Sequence, residues 1–351
     1  MPLIANSNLP TFKRLGEDWV TILTEDRASH QAIRELHIGL LNLMPDAALE
    51  ATERQFFRLV GRSNQIAQFY MHPFTLPSIE RGKGTKDHIS RYYKSFEEIK
   101  SHGLDALIIT GAAVEQANLS EEPFYEHLKE VIDWSYDFVT STICSCLTTH
   151  AVMEFRYNKK RQPIGEKCWG VFPHEVVMRH HPLLKGINTR FNVPHSRYNE
   201  ISLQQFADSG VEVLVKSDIG AHMGVSDDLF RIVFFQGHPE YDSISLLKEY
   251  KREIAAFLNN KRPDYPVFPD NYLGEQSRAI LREYKSKLLS AEFSLSEFPE
   301  ELIAKTLDNT WRDATGALIS NWIGCVYQVT HEDVKLPFMD GVNPEDPLGI
   351  K

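Results

Sequence analysis

A histidine and a glutamate lie two residues apart in Gln236-Gly237-His238-Pro239-Glu240-Tyr241-Asp242, just after the apolar run Ile232-Val233-Phe234-Phe235, which reads as a buried strand. A strand end holds an imidazole rigidly, and a nearby carboxylate can fix its tautomer. Such a pair is as often structural as catalytic, so a catalytic reading needs a nucleophile. Cys146 offers one: it follows the β-rich run Phe138-Val139-Thr140-Ser141-Thr142-Ile143-Cys144 and precedes a helical stretch from about Leu147 to Tyr157. A thiol at that turn sits near backbone N–H groups and the positive end of the helix dipole, both of which favour the thiolate. Cys144 competes. Strand alternation places both on one face, and nearness to the helix start favours Cys146. A buried apolar cysteine is the plainer alternative for either. Together, Cys146, His238 and Glu240 would support attack on acyl carbon, with thiolate attacking, imidazole moving the proton and carboxylate holding the imidazole.

Other groups are weaker. Thr110-Gly111-Ala112-Ala113 ends a strand in a small-residue turn whose N–H groups, that of Ala113 among them, could form an oxyanion hole with the N–H of Leu147. Arg197 and Arg252 could each grip a carboxylate. His180-His181, with His174 nearby, hints at a metal. The spacing matches no zinc template, and Cys168 and Cys325 stand alone, so no metal is expected.

The elements that must position these residues alternate. Leu36–Leu43, Ile66–Tyr70, Asp105–Gly111, Phe138–Cys144, Val211–Val215 and Ile232–Phe235 read as strands. Residues 46–60, Ser95–Ser101, Tyr125–Ser135, Leu147–Tyr157 and a segment through Leu246, Leu247, Tyr250 and Ile254 read as helices. Strands apolar on both faces, alternating with helices, imply a parallel sheet covered on both sides, with chemistry at the carboxyl strand ends. Thr110-Gly111, Cys146 and His238 to Glu240 all fall there. Residues 171–200 suggest short strands and loops, and Arg262–Leu273 a Pro-rich loop.

At 351 residues, with 25% charged and 42% hydrophobic residues, the composition is that of a globular protein. The formal charge of -10 argues against a nucleic-acid surface. No apolar run is long enough to span a membrane, and the start lacks a signal-peptide pattern. Four cysteines make no disulfide framework, and a reduced, cytoplasmic setting is the simplest expectation.

The chain resembles the homoserine O-acyltransferases related to class I glutamine amidotransferases, the transsuccinylase/transacetylase type. The likeness is carried by Leu41-Asn42-Leu43-Met44-Pro45, Thr52-Glu53-Arg54-Gln55-Phe56, Ile109-Thr110-Gly111-Ala112, Val139-Thr140-Ser141-Thr142 before Cys146, Glu166-Lys167, Pro194-His195-Ser196-Arg197-Tyr198 and Gly237 to Asp242. It covers most of the chain. It implies a flavodoxin-like, class I glutamine amidotransferase-like fold in one acyltransferase domain: an arm over 1–34, an α/β core over 35–262 and an extension over 263–351, with an insertion at about 275–308. It makes Cys146 the nucleophile in preference to Cys144, His238 the base and Glu240 its partner. Lys167, Ser196 and Arg252 become the amino-acid pocket. It implies ping-pong acyl transfer to homoserine in methionine biosynthesis, with an acyl-CoA co-substrate, no bound cofactor, small-molecule partners only and a homodimer.

The donor expected from sequence is acetyl-CoA rather than succinyl-CoA. In the family, Glu at the position of Glu115 goes with acetyl transfer, and a carboxylate there would repel that of succinyl. Asp46-Ala47-Ala48 also stands where relatives carry lysines. Leu147-Thr148-Thr149-His150 departs from the family's usual elbow, which raises serine or another hydroxy amino acid as acceptor. A glutamine amidohydrolase and a non-catalytic binding protein are the remaining alternatives.

Overall fold

The computed structural model describes residues 3–18, 20–30, 33–63, 66–338 and 341–351. Its strands are β1 (Leu3–Ala5), β2 (Ile22–Thr24), β3 (Glu35–Leu41), β4 (Gln68–Phe74), β5 (Ala106–Ile109), β6 (Ser141–Ser145), β7 (Gln162–Val176), β8 (Arg190–Glu200), β9 (Glu212–Ser217), β10 (Gly220–Val225) and β11 (Ile232–Phe235). They form an 11-stranded sheet in the order β2-β1-β4-β3-β5-β6-β11-β10-β9-β7-β8. From β2 to β11 every pairing is parallel, and from β11 to β8 every pairing is antiparallel.

The parallel half is built as its sequence dictates. Strand alternation sends Ile108 and Ile143 to one face, against Phe56, Phe57 and Trp322. Leu107, Ile109 and Cys144 go to the other, against Leu128, Ile132 and Ala151. The first face is covered by the helices Asp46–Ser63 and Arg312–Val329, the second by Phe96–His102, Tyr125–Phe138 and Leu147–Tyr157. Both sheet faces are therefore dry, which is why these strands read as continuous apolar runs.

Three features differ from expectation. Residues 171–200 are not short strands: β7 and β8 pair in register from Cys168↔Arg197 to Glu175↔Arg190 as one long antiparallel ribbon. Within the N-terminal arm, Leu3–Ala5 and Ile22–Thr24 join the sheet, too short for periodicity to mark them. Helices also form at Lys83–Tyr92 and Arg312–Val329, where none was expected.

The segment from Glu275 to Ala304 carries helices Glu275–Leu289 and Glu300–Ala304. Their Leu281, Tyr284, Leu288 and Ile303 pack with Trp169 and Val171 of β7 and with Leu247, Tyr250 and Ile254 of the helix Ser245–Leu258. This stretch thus buttresses the elements that bear Lys167, Glu249 and Arg252. The Pro-rich loop before it is stitched to β7: Val171 N–H donates to Asp270 O (2.8 Å) and Asp270 N–H to Trp169 O (2.8 Å). A Cβ on Gly170 would stand 2.3 Å from Asp270 O, so only glycine permits that approach.

Candidate active site

Cys146 caps the helix Leu147–Tyr157 at the end of β6, with φ 51° and ψ −109°. A non-glycine residue held there costs about 1–3 kcal/mol and persists only where its surroundings enforce it. They do: Cys146 N–H donates to Phe235 O of β11 (2.7 Å). Thr149 Oγ1 lies 2.8 Å from Cys144 O and 2.9 Å from Phe235 O, and Thr148 Oγ1 donates to Thr110 O (2.7 Å). The strand-to-helix turn that presents Cys146 is thereby tied to the end of β5, to β6 and to β11 at once. His150, buried, meets Gln236 Oε1 at 3.2 Å. Thr148, Thr149 and His150, whose identities departed from the family elbow, are all turned inward as bracing. Cys144 is fully buried, and burial pushes its thiol far above the ordinary range, so it is no competitor.

His238 follows β11, its N–H donating to Pro194 O of β8 (2.8 Å). Gly237 makes that seat possible, since a Cβ there would lie 2.6 Å from Val193 Cγ1 and 2.8 Å from His195 Nε2. His238 Nδ1 donates to Glu240 Oε1 (2.8 Å) across the Pro239 turn. Glu240 Oε2 is buried with no partner among the described residues, so nothing competes with His238 for the carboxylate. Burial opposes a charge on His238, but the neighbouring Cys146 sulfur and Glu240 carboxylate outweigh it, and its pKa stands well above the usual imidazole value. The Cys146 sulfur stands close enough to the His238 side chain to act on its charge. The three residues singled out in the sequence are thus one connected set.

On the open side of Cys146 lies the turn after β5. A Cβ on Gly111 would be 3.5 Å from Cys146 Cβ. The N–H of Ala113 makes no hydrogen bond among the described residues. The N–H of Leu147, first in its helix, has no acceptor within that helix. Farther along the turn Glu115 is exposed, and its N–H, like that of Gln116, donates to the buried Glu122 (each 2.7 Å).

The expected amino-acid pocket gathers around a residue the sequence did not flag. Glu249 Oε2 accepts from Ser196 Oγ (2.7 Å) and Trp169 Nε1 (3.0 Å), and Glu249 Oε1 from Tyr241 Oη (2.6 Å). Lys167 Nζ is 3.7 Å from Glu249, 3.4 Å from Glu253 and 4.3 Å from the Trp169 ring centroid. Lys167 and Ser196 are therefore brought together. Arg252 is exposed on the same helix as Glu249 and forms no ion pair among the described residues. The signal that could have found Glu249 is a carboxylate inside an apolar helical stripe, between Leu246, Leu247 and Tyr250, Ile254.

Two other sequence candidates are structural. Arg197 is buried and committed to Glu200 (3.2 Å) and Ile219 O (2.6 Å). His181 meets Leu229 O (2.9 Å) while His174 meets His195 (3.2 Å), so the His174, His180, His181 group does not converge.

A family model described as homoserine O-succinyltransferase matches residues 2–332. The chain belongs to this family. It is 59% identical to the homoserine O-succinyltransferase of Nitrosococcus oceani, covering 100% of this chain and 99% of that protein. It is 56% identical to the one from Thiobacillus denitrificans, covering 100% of each. Among solved structures, a glutamine amidotransferase from Methylobacillus flagellatus aligns with a TM-score of 0.45 at 13% identity, over 84% of this chain and 95% of that one.

These relatives overturn the expectation of an acetyltransferase using acetyl-CoA: proteins 52–59% identical over essentially the full chain are named succinyltransferases. The geometry supplies the physical reason. The acetyl argument required the Glu115 carboxylate to fill and charge an acyl pocket, whereas Glu115 is exposed to solvent. A solvated carboxylate neither occupies that space nor repels strongly across water. No helix among the described residues is long and apolar enough to cross a membrane.

Proposed function

We propose that the protein transfers a succinyl group from succinyl-CoA to the hydroxyl of L-homoserine through an acyl-enzyme on Cys146. The observation that carries this reading is the connected set of Cys146, His238 and Glu240 at adjacent strand ends, in a chain of the homoserine O-succinyltransferase family.

The Cys146 thiolate attacks the thioester carbonyl. The oxyanion that forms is met by the N–H groups of Leu147 and Ala113. Collapse breaks the bond to coenzyme A, whose sulfur takes the proton held by His238, and leaves a thioester on Cys146. One thioester replaces another, so the step is nearly thermoneutral. The homoserine hydroxyl then enters, gives its proton to His238 and attacks the same carbonyl. The Cys146 thiolate leaves, and O-succinylhomoserine departs. Glu240 holds the imidazole so that Nε2 faces the sulfur throughout, and stabilises it when protonated.

Lys167, Ser196 and Arg252 serve the amino acid. Arg252, exposed and without an ion pair among the described residues, offers a fork to the substrate carboxylate. Lys167 and Ser196 are held by Glu249, which lies on the same helix as Arg252. Family membership counts against a glutamine amidohydrolase, and the thiol–imidazole–carboxylate set counts against a binding protein.

The test is steady-state kinetics with acetyl-CoA and succinyl-CoA against L-homoserine, L-serine and glutamine. The proposal expects parallel double-reciprocal lines, and the highest kcat/KM for succinyl-CoA with L-homoserine. Preference for L-serine or for acetyl-CoA, or glutamine hydrolysis without acyl-CoA, would overturn it.

A further inference from the structure

We propose that His37, His72 and His102 form a site for a divalent transition-metal ion of the zinc class, separate from the acyl-transfer site. His37 lies in β3, His72 in β4, and His102 is the last residue of the helix Phe96–His102. His37 Nδ1 stands 2.9 Å from His72 Nε2 and 3.1 Å from His102 Nε2. One ligand atom from each ring lies within 4.8 Å of the others.

Hydrogen bonding alone serves this arrangement poorly. A neutral imidazole nitrogen carries either one proton or one lone pair. His37 Nδ1 faces two other ring nitrogens and can satisfy only one of them well. A cation at the shared centre accepts a lone pair from all three rings. Imidazole is the ligand of choice for zinc and its neighbours, and a set of protein histidines completed by water is a known mode of binding.

The dimensions fit with small adjustment. Zn–N bonds of about 2.0–2.1 Å in a tetrahedron place nitrogens about 3.3 Å apart. The observed contacts must open by a few tenths of an ångström, and the exposed His102 ring can turn to allow it. His102 also leaves the solvent side free for a water ligand.

The surroundings are those of a supported site. His37 is pinned through its backbone, its N–H donating to Asp105 Oδ2 (2.7 Å) and its carbonyl accepting from Asp105 N–H (2.9 Å). Its other ring nitrogen, Nε2, lies 3.8 Å from Glu35 Oε2, as a carboxylate behind a metal-bound histidine would. The Tyr70 ring stacks on His37 at 5.1 Å. Burial helps to keep His37 and His72 unprotonated and ready to coordinate, with pKa values of about 4 and about 2. Lys94 acts on all three rings and Lys335 on His102, and both oppose a bound cation; Glu35 works the other way.

The position argues for a structural ion. His37 precedes the row in which Ile38 pairs with Ala106, at the amino end of β5. Cys146 lies beyond the carboxyl end of β6, so the two sites occupy opposite ends of the parallel sheet. An ion here would staple β3, β4 and the end of a covering helix.

The experiment uses the full chain, stripped with a chelator and dialysed. Co²⁺ is titrated by visible absorbance and Zn²⁺ by calorimetry, and the thermal midpoint is read with and without Zn²⁺. The proposal expects one saturable equivalent, d–d absorption bands of a nitrogen-ligated ion and a higher midpoint with Zn²⁺. H102Q and H37Q should each weaken binding at least about tenfold and remove the midpoint shift, with acyl transfer by H102Q unchanged. C146A should bind as wild type. No saturable equivalent, an equivalent that survives both histidine variants, or one lost in C146A would overturn the proposal.

Discussion

The Tyr241 ring lies nearly parallel to that of His238, centroids 4.3 Å apart, while its hydroxyl donates to Glu249 Oε1 at 2.6 Å. One side chain thus touches both His238, the proposed base, and the carboxylate around which Lys167 and Ser196 gather. The two halves of Tyr241 should be separable. Tyr241→Phe keeps the stacked ring and loses the hydrogen bond. It should raise KM for the acceptor about tenfold or more with a smaller change in kcat, because a hydrogen bond to a charged group contributes about 1.5–3 kcal/mol. Tyr241→Leu also removes the stacking and should lower kcat by a further factor of about 2–10. Equal effects of both variants on kcat alone would refute this division, and initial-rate kinetics with both substrates varied makes the distinction.

Glu240→Gln tests the orienting carboxylate. The amide preserves size but removes the charge facing His238 Nδ1 at 2.8 Å. We expect kcat to fall by about 10²–10⁴. A variant within a factor of about two of wild type would show that His238 needs no such partner.

Glu249→Ala should cost stability as well as acceptor binding. The carboxylate accepts from Ser196, Trp169 and Tyr241, and Trp169 is buried. Buried donors left without partners cost about 1–3 kcal/mol each, reduced where water can enter. Urea denaturation should show a loss of about 2–4 kcal/mol, on that scale. A midpoint like that of wild type would mean the cluster contributes little to folding.

Acid should destabilise the fold well above the carboxylate range. Burial holds His150 at about 3 and His174 at about 4, against about 6.5 in an unfolded chain. Both pKa values are lowered, so their contribution is fully present above about pH 6.5 and is lost as pH falls towards the folded values, at up to about 1.4 kcal/mol per pH unit for each group. His238, whose folded pKa is raised, works in the opposite sense: its contribution is present below about pH 6.5 and lost as pH rises through the folded value. Urea midpoints should therefore drop between about pH 6.5 and about pH 4.5. A flat profile over that window would contradict the buried neutral histidines.

Much of the candidate site was legible because its residues sit at the ends of strands apolar on both faces. Ile143 and Val233 are wholly buried, so their runs show plainly and the residues after them, Cys146 and His238, are located with them. Other parts were hidden for physical reasons. The β7–β8 ribbon begins Gln162-Pro163-Ile164-Gly165, largely exposed and free of alternation, so it lacks a strand's signature. The pull of Glu249 on Lys167 and Ser196 depends on how the ribbon packs against the helix Ser245–Leu258, which spacing along the chain does not encode. The donor argument failed because it needed Glu115 to face a pocket, and side-chain exposure at a loop is set by tertiary packing; here Glu122 organises that loop instead. The helix Arg312–Val329 was legible but unread: Leu318, Ile319, Trp322, Ile323 and Val326 recur at helical spacing and are all buried.

Intact-mass spectrometry of the protein mixed with succinyl-CoA tests the central claim most directly. A covalent intermediate on Cys146 predicts a mass increase of one succinyl group, absent in Cys146→Ala and lost on addition of L-homoserine. No increase in the wild-type protein, an increase that persists in Cys146→Ala, or one that L-homoserine does not discharge would contradict it.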